Sequence, residues 1–482
     1  MLRTLPRYRI EDHALLGNTA SAALVLPNGT VDWACLPGFD SPALFSSLLG
    51  GPEHGYWRIG PAVPDGPPPD ADRRQYLGDT MVLRQEYDTA SGTLAVTDFM
   101  PAPDSTGAAA PRIVRIVECV SGVVDVVSVY RPRADYGAAA PLIQQATSRA
   151  PWLSATVGAD TYWLQGGRDH SVNRDRMCRA TFTLAAGEVT AFILTWGPTR
   201  RGGSAPARPD ALAELVETVR HWERWARGCT YRGPHREAVM RSALTLAAMC
   251  HPDGGIVAAP TTSLPEEIGG TRNWDYRFVW LRDSALAAAT LLRLGRLEEA
   301  RRWLHWLITT VDPAHLQPIY RLDGTTDLTE QILDHLPGYE GSRPVRLGNA
   351  AAGQLQLDVF GEIADTLLLA EDAGLSPSRG PTSCCWPSPG RWSAAGTSRT
   401  RGSGKSAAQP ATSPTPRSCA GWLSTGPCGC CNAAPTPMPP SCTTSPNCAS
   451  RSTPTCANEA STPNGASSPS TTAAGSWTPL CC

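Results

Sequence analysis

After residue 375 the amino-acid alphabet changes. Between Ser376 and Cys482 there is no Val, Ile, Phe, Tyr, Asp or His, and Glu459 is the lone Glu. A segment so poor in core-forming residues cannot offset the entropy of ordering itself, so residues 376–482 are expected to be a low-complexity, disordered tail. Any packed core must come from the first 375 residues. The tail also holds 11 of the 16 cysteines. Its groups, Cys384 with Cys385, Cys428 with Cys430 and Cys431, and Cys481 with Cys482, lack the paired spacing and the histidine of a zinc site.

The first 200 residues read as strands. Runs such as SAALVL, TMVLRQEY, RIVRIVECV, VVDVVSVY and TAFILTW are rich in β-branched residues and punctuated by PNGT, GFDSP and PDGPPP. Many short strands with no long helical pattern between them predict a β-sandwich over 1–200. Asp32, Trp33, Phe39 and Asp40 are read there as packing residues, because a sandwich core needs large aromatics.

Residues 201–232 form a Gly/Pro/Arg linker followed by a connecting helix with Asp210 near its N-terminus. REAVMRSALTLAAMC comes next and is apolar on more than one face, as buried helices are. Further helices are predicted over 281–294, 297–311 and about 354–372.

The stretch 269–283, GGTRNWDYRFVWLRD, alternates aromatic rings with Arg and Asp and runs straight into an apolar helix. That alphabet suits a sugar, because aromatic faces stack on C–H surfaces while guanidinium and carboxylate groups bond to hydroxyls. A buried aromatic cluster with a satisfied ion pair fits the same composition.

Resemblance separates the two. TRNWDYRFVWLRDSALAAATLLRLG resembles the first active-site segment of the family 15 glycoside hydrolases, the glucoamylases and their trehalase-like relatives. HPDGGIVAAPTTSLPEEIGG, GSRPVRLGNAAAGQLQLDVFGE and the segment from Ile10 to Gly51 carry the same likeness. The resemblance implies a trehalase-like β-sandwich over 1–200 and an incomplete (α/α)6 barrel over 233–375. It also implies inverting hydrolysis of an α-glucoside, either trehalose or a maltooligosaccharide. In that reaction one carboxylic acid protonates the leaving oxygen and a second carboxylate activates water.

By the same resemblance Arg282 and Asp283 bind sugar hydroxyls and Tyr276 and Trp280 wall the pocket. Trp274 and Asp275 support that wall, and Gln354 and Asp358 line the adjacent side from the next inner helix. Neither catalytic carboxylate is assigned in the chain. Glu266 and Glu267 are adjacent and point different ways, so they cannot straddle a bond. His305 and His335 are single imidazoles in structural settings.

The family's acid lies in an IWE triplet, and here that triplet arises only when the tail is read in another frame, across Gly404 and Lys405. The same shift turns other parts of the tail into amphipathic strings that resemble missing barrel segments, so a frameshifted and truncated C-terminal part is expected. The chain as written is then expected to be inactive. A non-catalytic carbohydrate-binding protein and a misfolded product are the alternatives.

The net charge of −2 and the absence of a basic block argue against nucleic acid as a partner. Without a secretory signal or a long apolar run, a soluble cytoplasmic protein that uses no metal or organic cofactor is expected. Oligomeric state and the choice between trehalose and starch-type substrates stay open at this stage.

Overall fold

The computed structural model describes residues 8–64, 66–102, 110–146, 152–168, 170–199, 205–312 and 315–375. The expected disordered tail lies outside the described residues.

Fifteen strands between Ala14 and Pro198 join in one hydrogen-bonded sheet system. Its pivot is the long strand Arg112–Arg131. The first half of that strand pairs with Gly92–Phe99 and Val189–Pro198, and the second half with Tyr56–Pro61 and Cys178–Ala185. RIVRIVECV and VVDVVSVY, which read as separate runs, are therefore the two halves of one strand. Gly122 makes this possible. It sits at φ +72°, and a Cβ there would come within 2.0 Å of the Ser91 carbonyl oxygen. Glycine alone turns the strand here without breaking its pairing.

Side chains alternate along each strand, so one face of each half turns inward. Trp57, Ile59, Val96, Val117, Val126 and Phe192 from both halves meet in a single buried cluster. Arg115 is a fully buried cation in this interior. Its guanidinium donates to both Asp98 oxygens at 2.8 and 3.0 Å and to the carbonyls of Trp57 and Gly29. Buried charges persist when they are fully partnered in this way.

Five α-helices follow among the described residues. Helix α1, Ala211–Arg227, starts where the sequence predicts, and Asp210 caps it by accepting from the backbone of Leu212 and Ala213. Helix α2 is Arg236–Ala248, α3 is Leu281–Arg293, α4 is Leu297–Thr310 and α5 is Asp358–Asp372. They share one core that includes Trp222, Leu244, Ala288, Trp303, Ile363 and Leu367. Alanines at 285 and 288 keep the buried face of α3 low, and the Thr366 hydroxyl on α5 reaches the Ala285 carbonyl at 3.1 Å.

The predicted start of α5 is corrected. Gln354 has an extended backbone, with φ −92° and ψ 150°, and the helix begins only at Asp358. Ala350–Gly353 forms a separate short turn capped by the Asn349 side chain, which is where the chain leaves helical geometry.

Sheet and helices pack together in one compact unit. The Trp33 indole donates to the Pro260 carbonyl at 2.9 Å, and Asp40 pairs with Arg321 at 3.2 Å. No helix among the described residues is long and apolar enough to cross a membrane.

Candidate functional site

Two short strand pairs aim the 269–283 stretch. Asn273–Asp275 pairs with Thr262–Pro265, and Val279–Trp280 pairs with Ile319–Tyr320 before the chain enters α3. Alternation along this extended stretch sends Asp275 and Arg277 inward. The residues that follow them are set on or beside the first turn of α3.

Asp275 and Arg277 form the buried anchor. Arg277 Nε lies 2.9 Å from Asp275 Oδ1 and Nη2 lies 2.7 Å from Oδ2. The remaining nitrogen, Nη1, donates to the carbonyls of Phe39 and Ser41 in the β-rich part, and the guanidinium lies over the Tyr136 ring at 5.4 Å. Asp275 Oδ2 also accepts from the Gly348 backbone at 3.3 Å. The pair thus ties together the sheet, the aromatic stretch and the approach to α5.

Arg282 stands at the open side. Its Nη1 donates to Gln356 Oε1 at 3.1 Å and to Asp358 Oδ2 at 3.0 Å, and its Nη2 lies 3.3 Å from Asp283 Oδ2. The guanidinium carbon is 5.5 Å from the centre of the Trp280 ring, and that ring lies 5.9 Å from Tyr276 at an angle of 44°. Trp280 packs on Phe278, Ile319, Leu328 and Ala351, so the aromatic floor is stiffly backed. The corner offers two carboxylates, an amide, a guanidinium and two ring faces. Such a set can bind a polyol from its edges and its apolar face at once.

Burial pushes the Asp283 carboxyl above the usual range and prevails over the pull of Arg282. Its Oδ2 is shielded from solvent and accepts no hydrogen bond among the described residues. Glu362, one helical turn beyond Asp358, is raised as well, first by burial and then by Asp365 and Asp358. Three acids therefore surround a single cation.

Arg282, Asp283, Tyr276, Trp280 and Asp358 stand together at this corner. Gln354 is exposed and reaches the group only by accepting from the Gln356 amide at 3.0 Å. Trp274 is set apart, beneath the Arg346 guanidinium at 4.4 Å. Gln356 was missed. A helix from 354 would place 354 and 358 on one face, whereas the chain is non-helical from Gln354 until Asp358, and Gln356 is the residue that reaches Arg282. Glu266 pairs with Arg272 at the surface, His305 is exposed, and His335 bonds to the Tyr136 carbonyl.

Glycosyl hydrolases family 15 matches residues 233–383, and the trehalase-like N-terminal family matches residues 4–186. A trehalase of Thermoplasma volcanium is 34% identical over 370 residues, covering 76% of this chain and 58% of its own length. One from Thermoplasma acidophilum is 35% identical over 361 residues, covering 73% and 59%. A third, from Mycolicibacterium smegmatis, is 32% identical over 396 residues, covering 75% and 57%. This chain belongs to glycosyl hydrolase family 15.

The family 15 match contains all the residues of the Arg282 corner, from Trp274 to Asp358. The buried Arg277 anchor crosses from it into the trehalase-like part at Phe39 and Ser41. The chain spans less than three fifths of the length of these trehalases.

Proposed function

We propose that this chain descends from an inverting α-glucoside hydrolase of family 15 whose substrate is trehalose, and that the Arg282 corner holds its non-reducing glucose. The observation that carries this reading is the meeting of Gln356 and Asp358 at one nitrogen of Arg282 and of Asp283 at another, beside the Trp280 ring. The trehalases among its relatives favour trehalose over maltooligosaccharides. In this reading the β-rich part over 1–200 is the trehalase-like sandwich, 201–232 links it onward, and 233–375 supplies inner and outer helices of an incomplete (α/α)6 barrel. Five buried free thiols among the described residues fit a reducing, cytoplasmic setting.

As written, the chain is proposed to bind glucose without hydrolysing its glycosides. General acid and base groups each contribute about 10² to 10⁴-fold, and in 376–482 Glu459 is the one carboxylate side chain available. A shifted reading frame accounts for that composition. Two assays test the proposal. The purified chain should show saturable binding of glucose or trehalose but no turnover of trehalose, maltose or maltooligosaccharides. Restoring the frame by a single-base change near codons 374–382 should bring trehalose hydrolysis back. Turnover by the chain as written, or a frame-restored product inert on every α-glucoside, would overturn the reading.

A further inference from the structure

A second polar concavity lies in the β-rich part, on the outer face of the sheet. One row of paired residues crosses four neighbouring strands: Thr30 opposite Arg58, Arg58 opposite Val129, and Val129 opposite Arg179. Because side chains alternate along a strand, Tyr56 and Arg58 stand on this outer face while Trp57 and Ile59 fill the core. Val63, Gly66 and Pro68 close over the row and leave a cavity of about 200 Å³.

Arg58 is the anomaly there. It is 8% exposed, and its Nη2 is spent on the Pro61 carbonyl at 3.1 Å. Its Nε is buried and has no partner. Gly60 gives the guanidinium room to lie back along its own strand, since a Cβ at that position would sit 3.2 Å from Nη2.

Among the described residues no carboxylate pairs with Arg58. The groups that act on it are the hydroxyls of Tyr87 and Tyr56, two further cations, Arg115 and Arg179, and the Tyr8 hydroxyl, which is itself bonded to Asp70; its own burial weakens its hold on the proton. Arg115 is neutralised by Asp98. Nearby Arg131 and Arg133 share one carboxylate, Asp175. Among the described residues neither Arg58 nor Arg179 has a carboxylate partner, and the Arg58 guanidinium is nearly enclosed. Buried charges are normally paired. Arg also presents a planar fork suited to oxyanions, and two such groups beside hydroxyls make a set typical of phosphate recognition.

We infer that this cavity is a binding site for a small oxyanion, inorganic phosphate or the phosphate of a sugar phosphate, held by Arg58 and Arg179 beside the hydroxyls of Thr30 and Tyr56. The volume suits a tetrahedral anion with at most a small substituent. This site is separate from the Arg282 corner and does not rest on the function proposed for it.

Isothermal titration of the full chain with sodium phosphate, at constant ionic strength and neutral pH, tests the inference. Saturable binding is expected, with sulfate competing and glucose without effect. Glucose 6-phosphate in a parallel titration separates the sources. Tighter binding than phosphate points to a sugar phosphate, and weaker binding to the free anion. Arg179→Gln, a change at an exposed position, should weaken binding by about tenfold. Arg58→Met should abolish it, while Arg282→Lys should leave it unchanged. If Arg58→Met fails to fold, Arg179→Gln alone decides. No saturable heat up to about 10 mM phosphate, or equal affinity in the wild-type chain and Arg179→Gln, would overturn the inference.

Discussion

Asp275 and Arg277 are two residues apart and hold one another by two parallel hydrogen bonds, 2.9 and 2.7 Å long, with both side chains almost wholly buried. The remaining arm of the guanidinium ends on the carbonyls of Phe39 and Ser41, more than 230 residues away in sequence. This contact gives the aromatic stretch a fixed position against the sheet, and the Arg282 corner inherits that position. Asp275 thus acts behind the site as its support, out of reach of any sugar.

Removing one partner leaves the other buried and unpaired. Arg277→Met and Asp275→Asn are each expected to lower stability by about 3 to 5 kcal/mol, measured by urea unfolding. The double replacement should lose less than the sum of the two, because neither charge is then stranded. Additive losses would show that the two side chains are not coupled.

The Asp210 cap is a smaller effect with a clear control. Asp210→Ala strips the acceptor from the backbone N–H groups of Leu212 and Ala213 and should cost about 1 kcal/mol. Asp210→Asn keeps an acceptor oxygen and should cost only a small part of that. Denaturant midpoints for the two variants distinguish a cap from a charge effect. Equal losses in both would point to charge.

Much of this architecture was legible because it is local. Asp210 before α1, the apolar spacing of α3 and α4, and the β-branched runs of the first 200 residues each carry their structure in neighbouring positions. The unread features depend on distant partners or on backbone geometry. The strand Arg112–Arg131 stays whole because Gly122 takes a positive φ. Helix α5 starts four residues late because Asn349 caps a separate turn. That shift hid Gln356, which lies before the helix and meets Arg282 there, outside any helical spacing.

His13 should make stability depend on pH. Burial disfavours its charged form, but the hydrogen bond and charge of Asp32, at 2.9 Å, together with the Arg9 and Ile10 carbonyls, raise the imidazole above its ordinary value. The folded state therefore binds the proton more tightly than the unfolded chain. This contribution is fully present below about pH 6.5 and is lost as pH rises through the folded-state value. The stability gap between the wild-type chain and His13→Gln should be wider at acid pH than at alkaline pH. A gap that is constant or widens with pH would contradict the assignment.

Thiol chemistry reports on the same packing. Burial pushes Cys35 up to about 11, and Cys178 and Cys250 up to about 12. Thiolates are the reactive species, so these three should resist iodoacetamide at neutral pH in the folded chain and react once it is unfolded. Peptide mapping by mass spectrometry resolves them from the cysteines after residue 376. Rapid labelling of Cys35 under native conditions would mean that the contact around Arg277, which places Nη1 3.7 Å from its sulfur, is not closed.

Arg282 separates a sugar site from a structural ion pair. Its side chain is 34% exposed and Asp358 is 51% exposed, so solvent screens that contact, while at Asp283 the pull of Arg282 is outweighed by burial; the pairs therefore contribute little to folding. Arg282→Lys keeps the charge but loses the second guanidinium nitrogen, so Gln356 and Asp358 on Nη1 and Asp283 on Nη2 are no longer held together. If a glucose ring binds here, the variant should unfold within about 0.5 kcal/mol of the wild-type chain, yet bind glucose or trehalose about tenfold more weakly. Trp280→Leu should impair binding as well by removing the ring face, at a larger cost to stability because Trp280 is buried among Phe278, Ile319 and Leu328. Calorimetric titration with each sugar, paired with urea unfolding of each variant, reads the two effects separately. Unchanged sugar affinity in Arg282→Lys would remove this corner from the binding site, whatever its effect on stability.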